Sequence, residues 1–230
     1  MRTKTLLLAA VLSAAGIASS LAQVYSVNIV GYINLTLSPG LNLITAQLKG
    51  TNQNVNTVIA TTTPAMADNS LLFTWNPASQ SFNQSQIYGG GQWLDPATFN
   101  PSTLSVNPGE AFFINNIGST AVTLTLVGEV PTFPVAVSVV NGLGFYGDPA
   151  PVSQNITTNL FPIGDNDLLF TWNVAGQTYN QSLIGQASPA AWLDPVTFNP
   201  VVVAPAVGAG FVVNRTSGAT TTWNRSFTIQ

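Results

Sequence analysis

Apolar and polar residues alternate along this chain in short runs. Ile33, Leu35 and Leu37 interleave with Tyr32, Asn34 and Thr36, and Val122, Leu124 and Leu126 interleave with Ala121, Thr123 and Thr125. Near the C-terminus, Trp223, Phe227 and Ile229 alternate in the same sense with Thr222, Asn224 and Thr228. A two-residue period sends successive side chains to opposite faces of an extended chain, as in a half-buried antiparallel strand. Between the runs stand Ser38-Pro39-Gly40, Asn76-Pro77, Asn107-Pro108-Gly109, Asn116-Ile117-Gly118 and Asn141-Gly142, residues that set the φ angles of turns. Turns recurring about every ten residues predict a sandwich or barrel. Helix is suggested only over 56–60 and its counterpart near 155–160, enough for one short turn at each place.

A duplication organises the pattern. Leu71-Leu72-Phe73-Thr74-Trp75-Asn76 recurs as Leu168-Leu169-Phe170-Thr171-Trp172-Asn173, and Asn83-Gln84-Ser85 as Asn180-Gln181-Ser182, both 97 residues later. Trp93-Leu94-Asp95-Pro96 recurs as Trp192-Leu193-Asp194-Pro195 at an offset of 99, the slip falling in the Gly89-Gly90-Gly91 region. Aligning Val30-Gly31 with Val127-Gly128 predicts two modules, 23–126 and 127–230, each of single-domain length. The expected fold is all-β, two tandem antiparallel β-sandwich-like repeats of about a hundred residues.

Residues 1–22 read as a secretory signal peptide, with Arg2 and Lys4 ahead of an apolar stretch over 6–17 and Ser20-Leu21-Ala22 as the cleavage site. That stretch is shorter than the roughly 20 residues a spanning helix needs. No later segment is long and apolar enough either, so no integral membrane helix is expected after cleavage. The expected location is periplasmic, cell-surface or extracellular.

Composition narrows the chemistry. Of 230 residues only 6% are charged, against roughly a quarter in an average domain, and the chain has no His and no Cys. Ser-His-Asp and Cys-His triads, thiolate nucleophiles and His/Cys metal cages are excluded. Leader removal leaves Lys49, Arg215 and Arg225 against eight acidic residues, a net charge of −5. Three scattered cations cannot track a phosphate backbone, so no nucleic-acid partner is expected.

The duplicated Trp-Leu-Asp-Pro element sets an indole beside a carboxylate, a pairing suited to sugars, and makes Trp93, Asp95, Trp192 and Asp194 the candidate ligand-binding residues. Its structural alternative is an Asp N-cap followed by Pro, with the indole anchoring the turn on the core. Asp165 and Asp167, within Gly164-Asp165-Asn166-Asp167, are the weak Ca²⁺ candidates. Glu110 and Glu129 could serve hydrolysis only as part of a carboxylate pair, yet Glu110 becomes Ala209 in the second repeat and Glu129 aligns with Tyr32. No catalytic residue and no cofactor is assigned. Trp75 and Trp172 share their parity with Phe73 and Phe170 and are expected to pack inward.

Val30-Gly31-Tyr32-Ile33-Asn34-Leu35-Thr36, Gly40-Leu41-Asn42-Leu43-Ile44, Phe73-Thr74-Trp75-Asn76 and Pro108-Gly109-Glu110-Ala111-Phe112-Phe113-Ile114 resemble segments of uncharacterised exported β-repeat proteins of verrucomicrobial-type bacteria. The resemblance covers most of the chain and implies an exported all-β protein without supplying an activity. The second repeat departs from it at Val207-Gly208-Ala209-Gly210 and lacks a clear counterpart of Gly-Leu-Asn-Leu-Ile. The functional expectation is a non-enzymatic envelope or extracellular structural and interaction protein, its partner a second copy or a cell-surface polymer. A carbohydrate-binding module using the two Trp/Asp pairs is the alternative, and an outer-membrane β-barrel a further one.

Overall fold

Strands with one apolar face and strands with two sort into different layers of this protein. The computed structural model describes residues 30–216 and 218–228, so the leader lies outside the described residues. The first half contains β1 (Val30–Leu37), β2 (Gly40–Thr45), a one-turn helix α1 (Val55–Val58), β3 (Ile59–Thr63), β4 (Leu71–Asn76), β5 (Ser81–Phe82), β6 (Gln86–Gly89), β7 (Gln92–Leu94), β8 (Ala111–Asn116) and β9 (Val122–Glu129). The second contains β10 (Val135–Val139), β11 (Gly142–Gly147), β12 (Leu168–Asn173), β13 (Thr178–Tyr179), β14 (Leu183–Ala187), β15 (Ala190–Leu193), β16 (Pro200–Val201), β17 (Gly210–Arg215) and β18 (Thr221–Arg225). The fold is all-β and sandwich-like, and every ladder is antiparallel.

Each half stacks a small outer sheet on a larger inner one. In the first half the outer order is β1-β9-β3 and the inner order β2-β8-β4-β6-β7, with β5 beside β4. In the second the outer sheet is β10-β18 and the inner β11-β17-β12-β14-β15-β16, with β13 beside β12. Outer strands bury every other residue, and the intervening core of the first half collects Leu35, Leu37, Leu124 and Leu126 against Ile44, Leu72, Trp93 and Phe112. The second half repeats this with Val137, Val139 and Trp223 against Leu169, Trp192 and Phe211. Each sheet ends in free edges among the described residues, so the closed ladder that a membrane β-barrel requires does not form there.

β2, β8, β11 and β17 of the inner sheets are buried along most of their length, because their second faces meet each other. Leu43, Ala111 and Phe113 of the first half form a third cluster with Phe145 and Val212 of the second, flanked by Phe73, Trp75, Phe170 and Trp172. The polar contacts around it are reciprocal. Trp75 Nε1 donates to Leu143 O and Trp172 Nε1 to Leu41 O, each at 2.8 Å. Gln80 accepts from Leu143 N at 2.8 Å and donates to Leu143 O at 3.1 Å; Gln177 does the same to Leu41 at 2.7 and 3.2 Å. Leu41 and Leu143 lie on the edge strands β2 and β11, so each carboxamide occupies a strand edge as a peptide group would. A Cβ on Gly40 would sit 2.5 Å from Gln177 Oε1, and one on Gly142 2.6 Å from Gln80 Oε1, at φ values of 91° and 79°. Glycine is required at both positions for the carboxamide to reach the backbone.

Several sequence expectations shift. β9 runs through Glu129, with Val30 opposite Glu129 and Gly31 opposite Gly128, so the halves meet over 130–134 and not at 126/127. The glycines of the two matching Val-Gly dipeptides are cross-strand partners at the two ends of one half. Gly142-Leu143-Gly144-Phe145-Tyr146 occupies, as β11, the place of Gly-Leu-Asn-Leu-Ile. β18 ends at Arg225, and Phe227 instead packs edge-on against Phe133 with ring centroids 5.4 Å apart. Among the described residues helix forms only at α1. At the counterpart, Leu160 has a φ of 62° and Pro162 lacks the N–H a ladder needs, so neither a helix nor an equivalent of β3 develops.

One buried ion pair distinguishes the halves. Arg225 Nε lies 2.9 Å from Asp148 Oδ1, both side chains 3% exposed, and Arg225 also donates to Gln154 Oε1 and Ser226 O. The corresponding positions of the first half hold Ala46 and Leu126, both fully buried. Arg225→Leu alone strands a buried carboxylate and is expected to cost about 3–5 kcal/mol in chemical denaturation. Adding Asp148→Ala recreates the apolar pair and should restore most of that loss; a double variant as unstable as the single one would contradict the equivalence.

Candidate functional site

The Trp-Leu-Asp-Pro elements sit at corresponding places in the two halves. Trp93 on β7 is 1% exposed and Trp192 on β15 fully buried, each within its own core. Tyr88 meets the Trp93 ring edge-on at 5.3 Å, and Phe161 lies 6.5 Å from Trp192. Neither indole offers a face to a sugar, so the proposed pairing of Trp93 with Asp95 and of Trp192 with Asp194 does not form a binding surface. β7 and β15 lie on inner sheets whose core side is covered by the outer sheet, which places these rings among Leu and Phe side chains.

The carboxylates hold turns. Asp95 Oδ1 accepts from Ala97 N and Thr98 N, both at 2.9 Å, and from Thr98 Oγ1 at 3.1 Å. Asp194 repeats this with Val196 N at 2.9 Å, Thr197 N at 2.8 Å and Thr197 Oγ1 at 3.1 Å. The chain then turns at Phe99 and Phe198, both at φ 56°, and no helix follows. The backbone N–H of Thr98 is the main cause holding the Asp95 carboxyl below its usual value, and that of Thr197 acts likewise on Asp194.

Asp165 and Asp167 are committed to backbone amides in the same way. Asp165 Oδ1 accepts from Ala187 N at 2.8 Å; buried Asp167 accepts from Gly164 N and Thr216 N, both at 2.8 Å. Asp68 makes the equivalent contact to Gly90 N at 3.2 Å, so the first of these carboxylates is a hairpin clamp used twice. Among the described residues no three His, Cys, Asp or Glu side chains are grouped closely enough to share a metal ion.

Among the described residues, both outer sheets end in open strand edges. β1 spans eight residues and pairs only with β9, leaving its outer edge unpaired among the described residues. Its outward side chains include Val30, 66% exposed, and Tyr32, 72% exposed. In the first half β9 is covered on both sides by β1 and β3, whereas β18 pairs with β10 alone. β1, β3 and β10 contain no charged residue. Native edge strands are ordinarily protected by Lys, Pro or bulges. Of these devices only a register shift between Ile59 and Thr61 in β3 is present.

No family model, curated protein or solved structure matches this chain. Function therefore rests on the chain's own geometry.

Because the folded pKa values of Asp95 and Asp194 lie below those of an unfolded chain, their stabilisation is present above about pH 4 and disappears as pH falls through the lowered values. Asp95→Ala and Asp194→Ala should each lower Tm at pH 7, with the gap to the parent closing in acid. A gap that is constant from pH 7 to pH 2.5 would rule out the ionised caps as its cause.

Proposed function

We propose that this is an exported, non-enzymatic structural and interaction protein of the cell envelope or extracellular space, acting through association of copies along open strand edges. The carrying observation is the uncharged outer edge of β1, together with the edge of β18 that lacks a counterpart to β3. An unpaired ladder of N–H and C=O groups is satisfied by water or by another strand, and a second strand adds side-chain burial to its hydrogen bonds. With so few charged residues, long-range repulsion between copies is weak. Export is supported by the sequence of 1–22 and by the resemblance to exported β-repeat proteins; the paired modules supply the rigid body from which the edges project.

Light scattering behind size exclusion tests the reading on protein recovered after export from an expression host. The apparent mass should grow over a hundredfold rise in concentration. Four lysines on the exposed faces of the two edges, Val30→Lys, Tyr32→Lys, Thr222→Lys and Asn224→Lys, should hold the protein at its monomer mass with an unchanged melting profile. A parent protein that stays monomeric throughout the range overturns the proposal.

A further inference from the structure

A cleft of about 470 Å³ opens where the halves meet, between the 104–112 segment and β4 of the first half and β10 and β11 of the second. We propose that it binds a neutral saccharide. This goes beyond edge association and stands without it, using none of the same side chains.

The walls divide by chemistry. The apolar lining comes from half-buried Trp75, Leu104 and Pro108, over Val106, Phe145 and Tyr146, which are buried. The polar lining comes from Asn83, Ser105, Asn107, Glu110 and Ser138, all exposed, three residue types that pair with vicinal hydroxyls. Asn107 Nδ2 donates to Glu110 Oε2 at 3.1 Å, leaving Glu110 Oε1 and Asn107 Oδ1 available as acceptors. Asn83 Nδ2 is held by Thr74 Oγ1 at 2.9 Å, so its side chain is fixed before any ligand arrives. The volume lies within the ordinary range of small-molecule sites, roughly 300–1,000 Å³.

Charge selects among ligands of that size. The lining contains one carboxylate and no Lys or Arg, so a phosphate, sulfate or uronate would meet uncompensated repulsion. A sugar presents hydroxyl donors to the carboxylate and carboxamides and a C–H surface to half-buried Trp75 and its apolar neighbours. Among the described residues the second half has no equivalent of the site. Where the first half has Asn107 and Glu110, the second has Ala206 and Ala209, and no oxygen acceptor replaces them. Glu110 thereby acquires a use its unduplicated position in the repeat had left open.

Calorimetric titration of the exported protein with cellohexaose, laminarihexaose, xylohexaose and mannohexaose, and separately with spermidine, tests the assignment. At least one saccharide should bind at one site per chain with a millimolar or tighter Kd. Glu110→Ala and Asn107→Ala should each weaken it tenfold or more, and Ser138→Trp, which fills the cleft from the opposite wall, should abolish it. Asp95→Ala should leave it unchanged. Absence of binding across the four saccharides, binding that survives Ser138→Trp, or spermidine binding that Glu110→Ala removes while no saccharide binds would overturn the proposal. Because the lysine variants leave the cleft intact, failure here is distinguishable from failure of edge association.

Discussion

An inner sheet with two apolar faces needs two covers, and this requirement organises the molecule. Leu43, Phe73, Ala111 and Phe113 point away from the first core, while Phe145, Phe170 and Val212 point away from the second. Left in water, either face would be a contiguous apolar patch of the kind that drives association. Packed on each other, the two faces convert a pair of sandwiches into four layers. Burial supplies most of the attraction, and the reciprocal bonds of Trp75, Trp172, Gln80 and Gln177 set the orientation.

Buried polar groups then have to be satisfied across the interface. Thr45 N donates to Gly208 O at 2.9 Å and Gly147 N to Gly109 O at 3.1 Å, joining the halves through backbone. Gln47 lies almost completely buried, donating to Asp148 O and Ala150 O at 2.9 and 2.7 Å and accepting from Gly208 N at 2.8 Å. Sliding one inner sheet over the other would break these bonds without access to water, so the interface has one favoured register. The cleft beside Glu110 inherits its shape from that register, since its walls come from both halves.

Outer strands were the most legible part of the sequence. Period-two alternation in β1 and β9 matches their one-sided burial directly. Parity also grouped Trp75 with Phe73 and Trp172 with Phe170, but parity names a face and not the surface that covers it. Trp93 lies on a three-residue strand, too short to display a period, and its neighbour Asp95 suggested a sugar site where the fold made a turn clamp. β11 was obscured because Gly144, Phe145 and Tyr146 stand where Asn42, Leu43 and Ile44 stand in β2. The carboxamide latches went unnoticed although Gln80 and Gln177 recur at the same offset of 97 as the strands before them. Their bonds run to β11 and β2, 63 and 136 residues away, a distance that local pattern does not carry.

Cooperativity of unfolding tests the interlocked interface most directly. Scanning calorimetry on the purified protein should give one transition whose calorimetric and van't Hoff enthalpies agree, because neither inner sheet can keep both faces covered once its partner unfolds. Two separate transitions, each with the enthalpy of a chain of about a hundred residues, would contradict the account and make the halves independent domains.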